Sequence, residues 1–154
     1  MKLALALVLL ASTASAGPAG GAPMKKMPCG FEGATVVEVK VVQLGSEPAG
    51  HVTKVFDADG WLAHDLDKAG KTGNERRGCV APADVKQVRT ALAKARWKVT
   101  TAHVHCMAVA QTATEYAVKG KVVWTEKMCS GKTLDKDSAA AIDAVNAMIA
   151  KLES

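Results

Sequence analysis

Four cysteines constrain this chain more than any other feature of its sequence. Cys29, Cys79, Cys106 and Cys129 are spread over most of the 154 residues, so disulfides between them would join distant segments. Two disulfides allow three connectivities. We favour Cys106 with Cys129, which would close a hairpin, and Cys29 with Cys79, which would attach the N-terminal segment to a long loop. Both bridges require an oxidising compartment.

The N-terminus predicts export to such a compartment. Residues 1–16, MKLALALVLLASTASA, combine one lysine, a short apolar run and the small residues Ala14, Ser15 and Ala16, the pattern of a signal peptide and its cleavage site. The apolar run is shorter than the roughly 20 residues that a membrane-spanning helix needs. We therefore predict a bacterial protein without a membrane span, located in the periplasm or outside the cell.

The rest of the chain predicts one α+β domain. Residues 17–33 begin with glycine, proline and alanine and are interpreted as a flexible leader, and residues 34–154 as a single domain. The expected architecture is an antiparallel sheet of about five strands with two helices packed on one face, in the order βββαββα. Its length suits one modest core.

Hydrophobic periodicity places these elements along the chain. Alternating valines predict a strand over 35–43, and similar patterns predict strands over 51–57, 61–65, 99–111 and 115–126. Pro82 begins a helix that should end near Trp97, and Thr133 or Asp135 caps a final helix. The polar, glycine-punctuated segment from Asp65 to Val80 is interpreted as a long loop.

The segment Thr101–Ala110, TAHVHCMAVA, is the one candidate metal site. On a strand, His103, His105 and Met107 would share one face and Cys106 the other. Two imidazoles and a thioether suit copper, whose cuprous form favours soft sulfur. A polar strand face without a metal is the alternative, so no cofactor is expected unless copper binds.

Other function classes lack support in the sequence. Five basic residues between Lys86 and Lys98 spread around the predicted helix, which indicates a solvated face and no nucleic-acid partner. No known catalytic motif is present. We therefore expect a protein that is not an enzyme.

From His51 to the C-terminus the chain resembles a family of small exported bacterial proteins of unknown function. The resemblance covers the turn at residues 57–60, the helix at 83–92, the Cys106 strand, the strand leading to residues 129–131, and the closing helix. The family has no established activity to transfer.

The chain is also similar to bacterial protease inhibitors of the subtilisin-inhibitor type. The similarity rests on CVAP at residues 79–82 before a helix, and on Cys106 and Cys129 around KVVW at residues 121–124. The closing helix departs from that pattern, as does the lack of a reactive-site loop between paired cysteines. The resemblance implies that a loop carrying Arg76 and Arg77 would enter a trypsin-like pocket.

Together these features predict a non-enzymatic, disulfide-stabilised, exported domain that binds a protein or a small ligand. Copper binding through His103, His105 and Met107 is one alternative, and serine-protease inhibition through Arg76 and Arg77 is another.

Overall fold

The computed structural model describes residues 29–44, 49–67, 69, 71–107 and 112–153. The predicted signal peptide and most of the predicted leader lie outside these residues. The described end of the leader is attached to the domain at two points. One is the Cys29–Cys79 disulfide, and the other is a hydrogen bond of 2.9 Å that the Gly30 N–H donates to the Ala58 carbonyl.

The described residues form eight strands and two helices. In chain order these are β1 (Thr35–Gln43), β2 (Gly50–Phe56), β3 (Gly60–Leu66), β4 (Thr72–Cys79), α1 (Pro82–Lys94), β5 (Val99–Thr101), β6 (Thr112–Val118), β7 (Lys121–Lys127), β8 (Lys132–Leu134) and α2 (Lys136–Leu152). Pro82 lies in the first turn of α1, where its missing amide proton costs nothing.

Six strands form an antiparallel sheet in the order β4-β3-β2-β1-β6-β7, and β5 pairs with β8 in a separate two-stranded sheet. The prediction of an α+β fold with an antiparallel sheet and two helices is confirmed. The prediction of about five strands is wrong, because residues 72–79 form β4 and the predicted strand 115–126 covers parts of both β6 and β7. The main sheet therefore has six strands, and β5 with β8 adds a separate pair.

The core lies between one face of the six-stranded sheet and the two helices. Val37 pairs with Val55, and Val39 pairs with Tyr116, so these four side chains share one face. They belong to one buried hydrophobic cluster with residues of both helices, namely Val85 and Val88 of α1 and Ile142, Val145 and Met148 of α2.

The segment from Asp65 to Val80 is not one long loop, because it begins with the last two residues of β3 and half of it is strand β4. Its sequence, TGNERRGC, has no alternation of apolar and polar residues. Such alternation appears only where one face of a strand is buried, and seven of the eight residues of β4 are exposed. Pairing with β3 and the disulfide at Cys79 define this strand instead.

The predicted strand 115–126 is a hairpin. Strands β6 and β7 are joined by Lys119 and Gly120, whose φ angles are 50° and 77°, as a tight two-residue turn requires. A bulge next to Tyr116 shifts the register, so that Tyr116 lies opposite Trp124. The bulge returns Trp124 to the face of Tyr116, although Val122 pairs with Ala117 on the other face. In the sequence the hairpin therefore looks like one continuous strand. Residues 112–114, which lie between the two predicted strands 99–111 and 115–126, belong to β6.

The predicted strand 99–111 is wrong over residues 102–107, and its residues 108–111 lie outside the described ranges. Only Val99–Thr101 is strand, and it pairs with β8 outside the main sheet. Residues 102–107 have no regular secondary structure, and all residues from 99 to 107 are exposed. No buried face selects a strand conformation here, and the Cys106–Cys129 disulfide attaches the segment to the chain after β7.

Candidate binding surface

Strand β4 is the most exposed strand of the six-stranded sheet and lies at its edge. Only Gly78 is half-buried, and the other seven residues are exposed. β3 pairs with one side of β4, and no described strand pairs with the other. An edge strand of this kind presents backbone N–H and C=O groups with which another extended chain can pair.

Three features fix the geometry of this edge. The register runs regularly from Gly60 opposite Cys79 to Ala63 opposite Arg76, and then shifts. The shift places an extra residue in β4 near Asn74, whose φ is 47°, as in a β-bulge. Gly78 leaves room for the neighbouring Trp61 indole, because a Cβ there would lie 2.6 Å from its Nε1 atom. Residues 76–79 therefore form the regular part of the edge.

The edge carries a positive charge on both faces of the sheet. Arg76 and Arg77 are consecutive strand residues, so their side chains point to opposite faces. The Arg77 guanidinium carbon lies 5.8 Å from the centroid of the Phe31 ring, within the range of a cation–π interaction. Glu75 is the only acidic residue of β4. Arg76 and Arg77 therefore lie in a strand that pairs with β3. The predicted protease inhibition requires a loop at these two residues, and the structure has a strand at that position.

A network of polar side chains connects β4 to the strands beside it. His51 Nδ1 lies 3.0 Å from Asp65 Oδ1, and the Asn74 amide donates to Asp65 Oδ2 at 3.0 Å. His51 Nε2 lies 3.1 Å from Thr53 Oγ1 and 3.5 Å from Glu153 Oε1 after the end of α2. These contacts join β2, β3, β4 and the C-terminal end of the chain.

The hydroxyl, imidazole and carboxylate of this network lie in the order that activates a nucleophile in hydrolytic enzymes. Thr53, however, is only 2% exposed, and a nucleophile must reach its substrate. The network is therefore suited to fixing the strands that support β4. The hydrogen bond from His51, and then that from Asn74, lower the pKa of Asp65 below its ordinary value.

Replacement of His51 by leucine should raise the pKa of Asp65 towards its ordinary value of 3.8, because the largest cause of the lowering is removed. Asn74→Ala should give a smaller rise in the same direction. A lowered carboxyl pKa stabilises the fold above the unfolded pKa, and this contribution is lost as the pH falls through the folded pKa. NMR titration of the Asp65 carboxyl carbon in the parent chain and in the two variants measures these pKa values. Equal pKa values in all three proteins would contradict the prediction.

The predicted metal ligands lie on an exposed segment outside the main sheet. His103, His105 and Met107 follow β5 in a segment without regular secondary structure. The prediction that they share one face of a strand is therefore wrong. Cys106 forms a disulfide with Cys129 and offers no thiolate. Within the described ranges, no three or more histidine, cysteine, aspartate or glutamate side chains are grouped so that they could hold a metal ion.

Both disulfides favoured from the sequence, Cys29–Cys79 and Cys106–Cys129, are present, and no cysteine of the described chain is free. Two disulfides are compatible with an oxidising, exported location. Among the helices in the described residues, none combines the length and apolar character needed to cross a membrane.

Sequence reasoning missed the edge strand and the network of His51, Thr53, Asp65 and Asn74. The network joins residues of three strands, and only the pairing register brings them together. The spacing of His51 and Thr53, two apart on a predicted strand, was the one local signal of a shared face.

The fold and this surface define a disulfide-braced α+β domain with an open, basic sheet edge. No protein-family model, curated protein or solved structure matches the chain. The resemblances to small exported proteins and to protease inhibitors therefore stay predictions.

Proposed function

We propose that this chain is an exported, non-enzymatic binding domain whose protein partner adds an extended segment to the edge of β4. The observation that carries the proposal is that β4 lies at the sheet edge with seven of its eight residues exposed. Export to the periplasm or beyond the cell is supported by the N-terminal sequence and by the two disulfides.

Strand addition supplies affinity through backbone hydrogen bonds and specificity through alternate side chains. The regular part of the edge, residues 76–79, is long enough to pair with a short strand, since strands of about 3 residues or more occur in globular proteins. The bulge at Asn74 limits the pairing on one side. On the other side the Cys29–Cys79 disulfide fixes the end of the strand, which reduces the ordering that binding would require.

The charge of the edge selects the partner. A strand paired with β4 would place its residues directly opposite Arg76 and Arg77, on the same faces as those side chains. Opposite charges at such positions stabilise the pair, and like charges destabilise it. The partner segment should therefore carry two consecutive acidic residues, with uncharged or β-branched residues on either side.

An acidic extended peptide should bind at β4 and a basic one should not. The probe is the acetylated, amidated peptide Thr-Val-Glu-Glu-Val-Thr, and its counterpart replaces both glutamates with lysine. We expect the acidic peptide to shift the amide NMR signals of residues 76–79 and to slow their hydrogen exchange. Arg76→Glu combined with Arg77→Glu should weaken binding about tenfold, because two attractive pairs become repulsive.

Lys86→Glu combined with Lys94→Glu is the matched control. It makes the same change in net charge on the exposed surface of α1 and should leave the affinity within about twofold, because neither lysine belongs to the paired edge and salt screens the interactions of exposed charges. Signal shifts confined to another surface, or equal binding of the acidic and basic peptides, would refute strand addition at β4.

A further inference from the structure

Two segments outside the main sheet, residues 99–107 and residues 128–134, lie side by side, and we name them together the disulfide ribbon. The first segment is exposed throughout, and the second is partly exposed. Strand β5 pairs with β8 from Val99 opposite Leu134 to Thr101 opposite Lys132. Beyond this pairing the Ala102 N–H donates to the Gly131 carbonyl at 2.7 Å. The Cys106–Cys129 disulfide then joins the segments, with its Cα atoms 5.7 Å apart.

The disulfide ribbon exposes more apolar side chains than any other part of the described chain. Six large hydrophobic residues of the described ranges are exposed, and four of them belong to the ribbon: Val99, Val104, Met107 and Met128. Met107 is fully exposed and Met128 is 61% exposed. A group of exposed apolar residues on a small domain indicates a binding site.

The two methionines flank the disulfide. Met107 directly follows Cys106, and Met128 directly precedes Cys129. The Cα atoms of the two cysteines lie 5.7 Å apart, and consecutive Cα atoms of a chain are about 3.8 Å apart. The bridge therefore limits the separation of Met107 and Met128, although the two are far apart in sequence. His103 and His105 precede Cys106 on the same exposed segment.

The side-chain donors of the disulfide ribbon that suit a metal are sulfur and nitrogen atoms, with no carboxylate oxygen among them. Neither segment contains an aspartate or glutamate, and both cysteines are bridged. The remaining side-chain donors that suit a metal are the two thioethers and the two imidazoles. Hard cations such as calcium and magnesium require oxygen ligands, whereas thioether sulfur favours cuprous copper.

We propose that the disulfide ribbon binds one cuprous ion through the thioethers of Met107 and Met128 and the imidazoles of His103 and His105. Met128 is a ligand that the sequence pattern around His103 does not include. The site is separate from β4, so it goes beyond the partner binding proposed above, and either proposal can fail without the other.

Competition for cuprous copper tests the site. The chain, with both disulfides formed, is titrated against the chelator bicinchoninate in the presence of ascorbate, which keeps copper reduced without a thiol reagent. We expect one cuprous ion per chain and a copper–sulfur signal in X-ray absorption. Met107→Leu and Met128→Leu should each lower the affinity for cuprous copper at least about tenfold. Loss of a residue that only supports a metal ligand typically lowers metal affinity by about tenfold or more, and loss of a ligand itself should have at least that effect. Both positions are exposed, so the fold should be retained.

Val104→Thr is the matched control, because it changes an exposed ribbon side chain that is not a donor and should leave the affinity unchanged. Zinc should not displace the copper. The proposal is overturned if the chain does not compete with bicinchoninate, if the double methionine variant binds as tightly as the parent chain, or if zinc displaces copper. Loss of binding in Val104→Thr equal to that in the methionine variants would likewise overturn it.

Discussion

Removal of the Cys29–Cys79 disulfide is expected to lower the free energy of unfolding by about 4 kcal/mol. The bridge spans 50 residues of sequence and joins the first described residue to the end of β4, so it encloses β1 to β4. Without it the unfolded chain gains the conformational entropy of a long open loop. Total stabilities of small domains are only about 5 to 15 kcal/mol, so the loss would be a large fraction.

The measurement is urea unfolding of the variant Cys29→Ala with Cys79→Ala beside the parent chain. The variant Cys106→Ala with Cys129→Ala is the comparison, because its bridge spans 23 residues and the entropy model gives about 3.5 kcal/mol. Both losses should appear as lower midpoints. If the variant without the Cys29–Cys79 bridge had the same urea midpoint as the parent chain, the bridge would not lower the entropy of the unfolded chain as the entropy model assumes.

Met148→Ala is expected to lower the free energy of unfolding by about 3 kcal/mol. Met148 is 2% exposed and belongs to the cluster that joins α2 to the sheet. Truncation removes apolar contacts and leaves a cavity that the surrounding valines cannot fill without backbone movement. Most of the stability of a helix in a protein comes from such packing, so the loss should weaken the attachment of α2.

Thermal unfolding and urea unfolding of Met148→Ala measure this loss, and Asp143→Ala is the control on the same helix. Asp143 is exposed, and surface substitutions usually change stability by less than about 0.5 kcal/mol. Equal midpoints for Met148→Ala and Asp143→Ala would contradict the placement of Met148 in the core.

The core elements were predictable because burial leaves a pattern in the sequence. The alternating valines of β1 and the apolar stripe of α2 reflect one buried face each, and the structure places both in the same cluster. Turn and cap residues were equally readable: Pro82 begins α1, and Asp135 caps α2 by accepting hydrogen bonds from the Asp137 and Ser138 N–H groups. These are short-range effects that the local sequence contains.

The candidate surfaces were not predictable in the same way. The exposed residues of β4 carry no hydrophobic period, so a strand was interpreted as a loop. Residues 102–107 show an apparent period but have no buried face, so a non-strand segment was interpreted as a strand. In both cases the hydrophobic pattern indicates only which residues are buried. It therefore does not predict secondary structure that forms without burial.

The sequence by itself determined that this is an α+β chain with a core of valines and two amphipathic helices, because periodic burial fixes element type locally. It also carried four cysteines whose favoured pairing is the one in the structure. Only the tertiary structure decided that β4 forms an edge, that His51 meets Asp65, and that β5 pairs with β8 outside the main sheet. Each of these depends on strand order, register or a covalent bridge between residues far apart in sequence, and such contacts leave no local pattern.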